Sequence, residues 1–185
     1  TGIFIAIATL MYSFANLGIV AYVYKFYPYY NDNLPQKNND QVTWALLFSL
    51  IGFSLVIIAG ILFKDLVIRK YGTNSPDFVK YYYYIFPFGL GLTLFAILEA
   101  YAWQIKKAVL SNFLREIQFR VFTTILIILS FTGLIASFDL FIKIYSFTFL
   151  AIAAILMGYL VFTNKISFTF SVSRVSKKFF KKIIA

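Results

Sequence analysis

The feature that most constrains this chain is the spacing of its charged residues. Five windows of 18 to 24 residues contain no Asp, Glu, Lys or Arg, at residues 1–24, 41–63, 81–98, 121–138 and 144–164. A helix of about 20 apolar residues crosses the roughly 30 Å hydrocarbon core of a bilayer. The windows therefore predict five transmembrane helices, with the two shorter ones extended by a turn. The predicted spans are residues 2–24, 42–63, 81–103, 119–138 and 144–163.

The composition agrees with lipid as the main solvent of the chain. Of its 185 residues, 61% are hydrophobic and 13% are charged, whereas about 25% are charged in an ordinary soluble domain. A soluble domain of this size has too much surface to hide so many apolar groups. Transmembrane β-strands would alternate apolar and polar residues, which residues 55–59 do not. The predicted fold class is all-α, a polytopic transmembrane bundle over residues 1–164 with a basic amphipathic tail helix over residues 165–185.

Lysine and arginine are unequally distributed between the two sets of loops. If successive loops alternate sides, one side receives 12 of the 17 basic residues and the other receives 5. Cytoplasmic loops carry the excess of Lys and Arg, so we expect a cytoplasmic tail and an N-terminus outside. The chain enters a hydrophobic span at Thr1 without Met or a signal-peptide pattern. We therefore expect a fragment of a larger membrane protein, whose remainder is one of its partners.

The tail has the pattern of a helix that lies on the membrane surface. Val175, Phe179 and Ile183 recur at helical spacing, and four lysines occupy the opposite arc. Such a helix attracts an anionic leaflet and buries its apolar arc in it. The expected surface residues are Lys177, Lys178, Lys181 and Lys182. A plain connector that fixes orientation is the simpler alternative, and the separation of aromatic from basic residues argues against a nucleic-acid partner.

Two polar residues fall inside predicted spans. Glu99 follows 18 uncharged residues in the third span, and ionisable residues in spans usually face the bundle interior or a water-filled cavity. The alternative is that Glu99 lies near the interface or pairs with Lys106 or Lys107. Asn16 lies inside the first span, where it either bonds to a neighbouring helix or contacts substrate.

Three charged residues, Arg115, Glu116 and Arg120, precede the fourth span. Glu116 and Arg120 stand four residues apart on a helix, so a surface ion pair explains them. The functional alternative is an inner gate or a phosphate site, because arginine matches phosphate oxygens with a planar fork.

Pro87 marks a hinge candidate in the third span, because its ring removes a helical hydrogen bond and kinks the helix. Interrupted helices often line cavities in transporters. Gly52 and Gly60 are interpreted as close-packing positions in the second span. The chain contains no His and no Cys, and we expect no metal, no cofactor and no catalytic residues.

Four segments together resemble one known family. They are VYKFYPYY at residues 23–30, ILEAYA at 97–102, FLRE at 113–116 with Arg120, and SFD at 137–139. In order and spacing they are similar to helices two to six of the polysaccharide-biosynthesis branch of the MATE-like flippase superfamily. These are the Wzx-type flippases of lipid-linked oligosaccharides, which usually have fourteen helices. The resemblance covers essentially the whole chain.

The resemblance implies a transporter of the bacterial inner membrane that works by alternating access. Its substrate would be a lipid-diphosphate-linked glycan, such as an O-antigen or other polysaccharide precursor of lipopolysaccharide synthesis. Its driving partner would be a coupling ion, a proton or sodium. Two alternatives stay open: a MATE-type drug or cation antiporter of the same superfamily, and a structural membrane subunit. An embedded enzyme would require a large polar loop or a His, Asp and Arg cluster, which the sequence lacks.

Overall fold

The computed structural model describes residues 2–72, 76–135 and 137–184. Helices and connecting segments account for these residues, and no β-strand occurs among them, which confirms the all-α fold class. The α-helices of the described residues are α1 Gly2–Asn16, α2 Ile19–Asn33, α3 Gln41–Leu62, α4 Lys64–Tyr71, α5 Pro76–Lys80, α6 Ile85–Gln104, α7 Ala108–Asn112, α8 Phe119–Phe131, α9 Phe138–Ser146, α10 Thr148–Phe162 and α11 Arg174–Ile184.

Several helices are long and apolar enough to cross a membrane. Three stretches qualify alone: Gln36–Leu62 and Tyr82–Gln104, which add a 3-10 turn to α3 and to α6, and Phe138–Phe162, which joins α9 to α10. The bent pair α1 and α2 makes a fourth if it forms one span. Large apolar side chains face outward, with Phe131 93% exposed and Phe162 88% exposed. Such a surface is costly in water and stable in lipid, which agrees with a membrane bundle.

The predicted fourth span, residues 119–138, differs from the structure. The helical path here begins with α7, continues through a π-helical segment, Phe113–Gln118, and ends with α8 at Phe131. Charged residues lie along it at 115, 116 and 120, and it is not among the candidate spans of the described residues. The structure therefore supports three or four candidate spans, where the sequence predicted five.

The last candidate span begins after α8, and Asp139 lies in the first turn of α9. Gly133 adopts a left-handed φ of 80° just after α8. Ser137 then caps α9, because its Oγ accepts the backbone N–H of Leu140 at 3.2 Å. The helical segment starts at Phe138, so it begins six residues earlier than the predicted start at residue 144.

The first predicted span, residues 2–24, is broken near its middle. Leu17 and Gly18 have φ values of 45° and 79°, and α1 and α2 meet there at 47°. Beyond the break, α2 continues to Asn33, nine residues past the predicted end of the span. The sequence predicted a helix interruption at Pro87 of α6, whereas the structure has one between α1 and α2.

Pro87 does not interrupt α6. The helix begins at Ile85, so Pro87 is its third residue. The first four N–H groups of a helix have no intrahelical acceptor, and the missing N–H of proline costs no helical hydrogen bond there. The hinge expected at Pro87 is thus a helix-start position in the structure.

The loops collect at two ends of the bundle. At one end the Tyr101 hydroxyl donates to the Lys165 carbonyl at 2.8 Å, and the Thr169 hydroxyl donates to the Lys37 carbonyl at 3.1 Å. We call this the basic end. At the opposite or far end, Lys64 donates to the Tyr83 hydroxyl at 2.9 Å. These bonds place residues 37, 101, 165 and 169 at one end and residues 64 and 83 at the other.

The buried core divides into two clusters along the bundle. The cluster near the basic end includes Val23 of α2, Leu98 of α6 and Leu156 of α10. The cluster near the far end includes Ala8 of α1 and Phe88 of α6. The two clusters touch where the Phe95 ring of the basic-end cluster lies 6.3 Å from the Phe149 ring of the far-end cluster.

Glycines of the bundle allow backbones to approach closely. A Cβ atom at Gly91 would lie 2.6 Å from the carbonyl carbon of Phe149 on α10, and one at Gly52 would lie 2.5 Å from the Ala15 carbonyl oxygen on α1. A Cβ at Gly60 would lie 2.8 Å from the Phe86 ring. The predicted close-packing role of Gly52 and Gly60 is confirmed, and Gly91 has the same role for α6 and α10.

The tail packs against α2. Residues 163–173 cross the basic end, and the Ser176 hydroxyl of α11 lies 2.7 Å from the Tyr30 hydroxyl, with both residues fully buried. Phe179 packs with its ring centroid 4.4 Å from that of Phe26, and Val175 is buried. These apolar residues therefore contact protein, in contrast to the predicted burial in lipid.

The tail lysines differ in what the structure describes. Lys177 and Lys178 are exposed, and Lys178 donates to the Tyr29 hydroxyl at 3.3 Å. The side chains of Lys181 and Lys182 lie outside the described residues. Exposure of the first two is compatible with a membrane-surface role, which stays a prediction.

The glycine contact between α6 and α10 yields a matched pair of substitutions. Gly91→Ala should lower the free energy of unfolding by about 1–3 kcal/mol, because its methyl group would collide with α10 backbone that cannot rotate away. Gly89→Ala should be neutral or stabilising, since its Cβ would meet the Phe53 ring at an ordinary 3.4 Å and alanine is the better helix former. Thermal unfolding in detergent measures both, and equal stability of the two variants would contradict the close contact.

Candidate functional site

An ion pair joins α6 to the π-helical segment at mid-chain. Arg115 donates from Nη1 to Oε2 of Glu99 at 3.1 Å. The Glu99 side chain is only 11% exposed, whereas that of Arg115 is 42% exposed. Glu99 thus faces the bundle interior, as one alternative of the sequence analysis required. Its partner is Arg115 and neither of the lysines considered as partners.

The π-helical segment determines where Arg115 lies. A π-helical turn contains an extra residue relative to an α-helix, and such turns are rare and frequent at functional sites. Within Phe113–Gln118, Leu114 is 4% exposed and belongs to the basic-end cluster of the core. The next residue, Arg115, reaches Glu99. This turn therefore packs Leu114 into the core and places the Arg115 guanidinium next to the buried Glu99 carboxylate.

The charges continue outward from this pair. Oε1 of Glu116 forms an ion pair with Nε of Arg115 at 3.5 Å, and its Oε2 accepts from Nη2 of Arg120 at 3.3 Å. The pairing of Glu116 with Arg120 was predicted from their spacing and is confirmed. Their side chains are 55% and 77% exposed, so solvent and salt weaken this pair far more than the inner one. The four residues form a chain of alternating charge from interior to surface.

One oxygen of Glu99 lacks a partner within the described residues. Oε1 of Glu99 is buried and accepts no hydrogen bond there, and neither does Oε1 of Gln118. Buried polar atoms are normally paired, and an open acceptor is costly. The open Glu99 oxygen is the acceptor that a proton, cation or hydrogen-bond donor would use at this site.

The Asn16 side chain forms hydrogen bonds at the break between α1 and α2. Its Oδ1 accepts the backbone N–H of Val20 at 3.0 Å, and its Nδ2 donates to the Tyr12 hydroxyl at 3.3 Å. The first N–H groups of a helix need acceptors from outside the helix, and an asparagine oxygen serves well. Asn16 therefore bonds within its own bent segment and satisfies one N–H of the first turn of α2.

Aromatic residues connect the break to the ion pair. Tyr24 of α2 lies within electrostatic range of Tyr12, Glu99 and Arg115. Its ring centroid is 6.2 Å from that of Trp103. Trp103 in turn donates from Nε1 to the Ser111 hydroxyl at 3.0 Å, which ties α6 to α7. The break in the first helix and the buried carboxylate of α6 thus belong to one connected region.

An apolar groove runs along the outside of the bundle between α1 and α3. Its volume is about 550 Å³, and Tyr82 contributes the one hydroxyl of its lining. The groove lies beside the break, since Phe14 and Leu17 form part of its wall, and Gly52 forms part of its floor. The other lining residues are Ile7, Leu10, Met11, Leu55, Val56, Ala59, Gly60, Phe63 and Val67. Its shape and chemistry suit a hydrocarbon chain.

Sequence reasoning found the members of the site but not their arrangement. It singled out Glu99, Arg115, Glu116, Arg120 and Asn16, and the structure brings the first four together. Pro87 lies elsewhere, in the first turn of α6. Tyr24 and the left-handed Leu17 were missed. An Asn-Leu-Gly sequence inside an apolar helix was the available signal for the break, since asparagine and glycine both favour left-handed backbone.

Comparison with known proteins gives no family assignment. No family model, no curated protein and no solved structure matches the chain. Among the described residues, no group of three or more His, Cys, Asp and Glu could hold a metal ion.

The buried ion pair yields a testable energy difference. Arg115→Ala should lower the free energy of unfolding by about 2 kcal/mol, because it leaves the Glu99 carboxylate poorly solvated and unpaired. Adding Glu99→Gln should restore most of the loss, since a neutral amide costs less to bury than a lone charge. Denaturant titration in mixed micelles, followed by circular dichroism, measures the three proteins.

Arg120→Ala is the matched control for that measurement. It removes an arginine from the same helical path, but one that is 77% exposed and contacts only the exposed Glu116 among the described ion pairs. We expect a change below about 0.5 kcal/mol. Equal losses from Arg115→Ala and Arg120→Ala would refute the special role of the inner pair.

Proposed function

We propose that this chain is part of a membrane transporter that moves a lipid-linked oligosaccharide across the bacterial inner membrane by alternating access. In this proposal it supplies helices two to six of a Wzx-type flippase, the family that its sequence resembles. The basic end faces the cytoplasm, in line with the excess of Lys and Arg there. The observation that carries the proposal is the broken helix α1–α2 beside an apolar groove.

A break in a membrane helix costs folding free energy, so a chain that keeps one is expected to use it. Lipid provides no hydrogen-bond partners for free backbone groups, and the left-handed residue Leu17 adds conformational cost at φ 45°. The chain compensates locally with the Asn16 side chain. Discontinuous helices with such local repair are characteristic of transporters, where they lie next to substrate and ion sites. The break therefore supports transport over a purely structural role.

The groove supports a substrate with a lipid tail. It is open along the outer face of α1 and α3 and is lined by aliphatic and aromatic side chains. A lipid-linked glycan must keep its hydrocarbon tail in the membrane while its polar head crosses. A groove that starts at the helix break would hold the tail next to the element that bends. Drug and cation antiporters have no need for a hydrocarbon groove on the lipid-facing surface.

The Glu99 and Arg115 pair is suited to a gate near the basic end. It links α6 to the π-helical segment across 3.1 Å, and opening a path between these elements would separate two charges. An incoming phosphate could take over Arg115, because arginine binds phosphate oxygens as well as carboxylate oxygens. The substrate's own diphosphate would then compensate for the broken pair.

A second candidate, a MATE-type drug or cation antiporter, is favoured by one observation. The unpaired Oε1 of Glu99 is a buried carboxylate oxygen inside a candidate span. Ionisable residues in this position commonly carry coupling protons or bind cationic substrates. Glu99→Gln separates the candidates, since it should abolish cation-driven efflux in the antiporter and slow glycan transfer only where a proton drives it.

The direct test is glycan transfer by the full-length protein in proteoliposomes. We expect transfer of a fluorescent lipid-diphosphate glycan between leaflets above the rate in empty vesicles. Gly18→Ala should slow it by about tenfold, because alanine disfavours the left-handed backbone at the break by about 1–2 kcal/mol. Protection of the fluorophore from an impermeant quencher reports the transfer.

Gly133→Ala is the matched control for Gly18→Ala. Both glycines have nearly the same left-handed φ, 80° and 79°, and neither has an atom within 4 Å of an added Cβ. Only Gly18 lies at the break, so Gly133→Ala should keep the transfer rate.

Efflux of drugs without glycan transfer would favour the antiporter. Equal slowing by both variants, or a folded protein without any transfer, would refute the proposal.

A further inference from the structure

A polar cavity lies at the basic end, apart from the ion pair and the groove. Its volume is about 460 Å³, and it lies where α2, α6 and the segment after α10 meet. Tyrosines 27 and 101, the amides of Asn31 and Gln104, and the lysines 106 and 165 contribute to its wall. None of its ten lining residues is acidic. The cavity therefore offers positive charge together with neutral hydrogen-bonding groups.

The backbone at this cavity is held in an unusual conformation. Lys106 lies two residues after the end of α6 with a φ of 61°, and Asn164 lies two residues after the end of α10 with a φ of 52°. Each forms the paired hydrogen bonds of a Schellman cap: Lys107 donates to Ala102 at 2.7 Å, and Lys165 donates to Leu160 at 2.8 Å. Glycine is the usual residue at the left-handed position of such a cap. A lysine there costs conformational energy that glycine would avoid.

The two caps bring lysines to the same place. Lys106 occupies the left-handed position of the first cap, and Lys165 follows the left-handed Asn164 in the second. The wall between them is fixed, because the Tyr101 hydroxyl donates to the Lys165 carbonyl at 2.8 Å and the rings of Tyr27 and Tyr101 pack 5.6 Å apart. Two helix ends and two packed rings thus frame a cavity whose lining includes two exposed lysines.

The chemistry of the wall selects a class of ligand. Lysine ammonium groups bind phosphate oxygens as point charges. Side-chain amides and tyrosine hydroxyls both donate and accept hydrogen bonds, which suits hydroxyl groups. The cavity also lies at the ends of the candidate spans, α6 and α10, the level at which lipid phosphates are found in a bilayer.

We propose that this cavity binds a phosphate group attached to a hydroxyl-bearing unit, a sugar or a glycerol. The ligand is either a soluble sugar phosphate or the headgroup of an anionic phospholipid, and both share this chemistry. The proposal stands apart from glycan transport, because binding is measured without any flux and a failure of transport leaves it untouched.

The alternative is that Lys106 only stabilises the C-terminal cap of α6 and binds no ligand. Cations near a helix C-terminus are favoured by the helix dipole, so the lysine could serve its cap alone. Lys106→Gly separates the two roles. Glycine relieves the left-handed strain and should keep or raise the melting temperature, while a phosphate ligand loses one of two ammonium groups.

The experiment measures binding and stability on the same purified proteins. For the soluble source, thermophoresis in a neutral detergent compares glucose 1-phosphate with glucose. For the lipid source, native mass spectrometry compares phosphatidylglycerol with phosphatidylcholine. We expect one phosphate ligand to bind the unmodified protein more tightly than its matched neutral or zwitterionic probe. Lys106→Gly should weaken that ligand by about tenfold, the loss of one charge-assisted contact, without lowering the melting temperature.

Lys25→Ala controls for general surface charge. Lys25 is exposed on α2 and does not line the cavity, so its replacement should leave the affinity unchanged. Binding of the sugar phosphate or of phosphatidylglycerol with the expected loss in Lys106→Gly supports the proposal and identifies the source. Unchanged affinity of Lys106→Gly, equal weakening by Lys25→Ala, or no preference for either phosphate probe would overturn it.

Discussion

The close contact of α6 with α10 is the interaction on which the rest of the bundle depends. Helices in lipid gain little from the hydrophobic effect, so tight van der Waals packing must hold them together. At Gly91 the backbone of α10 takes the space that a side chain would fill. Helix α6 also contacts α1, α2 and α3, and it carries Glu99 and Tyr101 toward the basic end. Both the ion pair and the polar cavity are therefore positioned by α6.

The parts of the structure that could be predicted from sequence are those with a local physical cause. Charge-free windows predicted helices because lipid tolerates neither free charge nor free backbone groups. Glu116 and Arg120 could be paired because four residues span one helical turn. Gly52 and Gly60 could be assigned to close packing because a missing side chain is useful only where another element approaches. Each of these inferences required only neighbours in the same helix.

The parts that escaped prediction depend on register or on distant contacts. Arg115 meets Glu99 sixteen residues away because a π-helical turn shifts its direction, and no local pattern announces such a turn. The apolar arc of α11 was expected in lipid because nothing in the sequence reveals that Ser176 meets Tyr30 across 146 positions. Pro87 was assigned to a kink because the start of α6 was placed four residues too early. A proline disrupts a helix only beyond its first turn, so an error of four residues in the helix start led to the prediction of a kink at a position that tolerates proline.

The helix break coincides with the division of the core, and this coincidence links the separate features. Residues of α1 up to Ala15 belong to the far-end cluster, whereas α2 from Ile19 onward belongs to the basic-end cluster. The tail is bonded to α2 through Ser176, and the backbone of α1 is held against Gly52 of α3. The two clusters are in contact through large side chains, since the Phe95 ring of the basic-end cluster lies 6.3 Å from the Phe149 ring of the far-end cluster. A change of angle at Gly18 would turn α2 relative to α1, but α2 is also held to α3, because Nε2 of Gln41 donates to the Val23 carbonyl at 3.2 Å. In the proposed transporter, a turn at the break would therefore have to break this hydrogen bond as well.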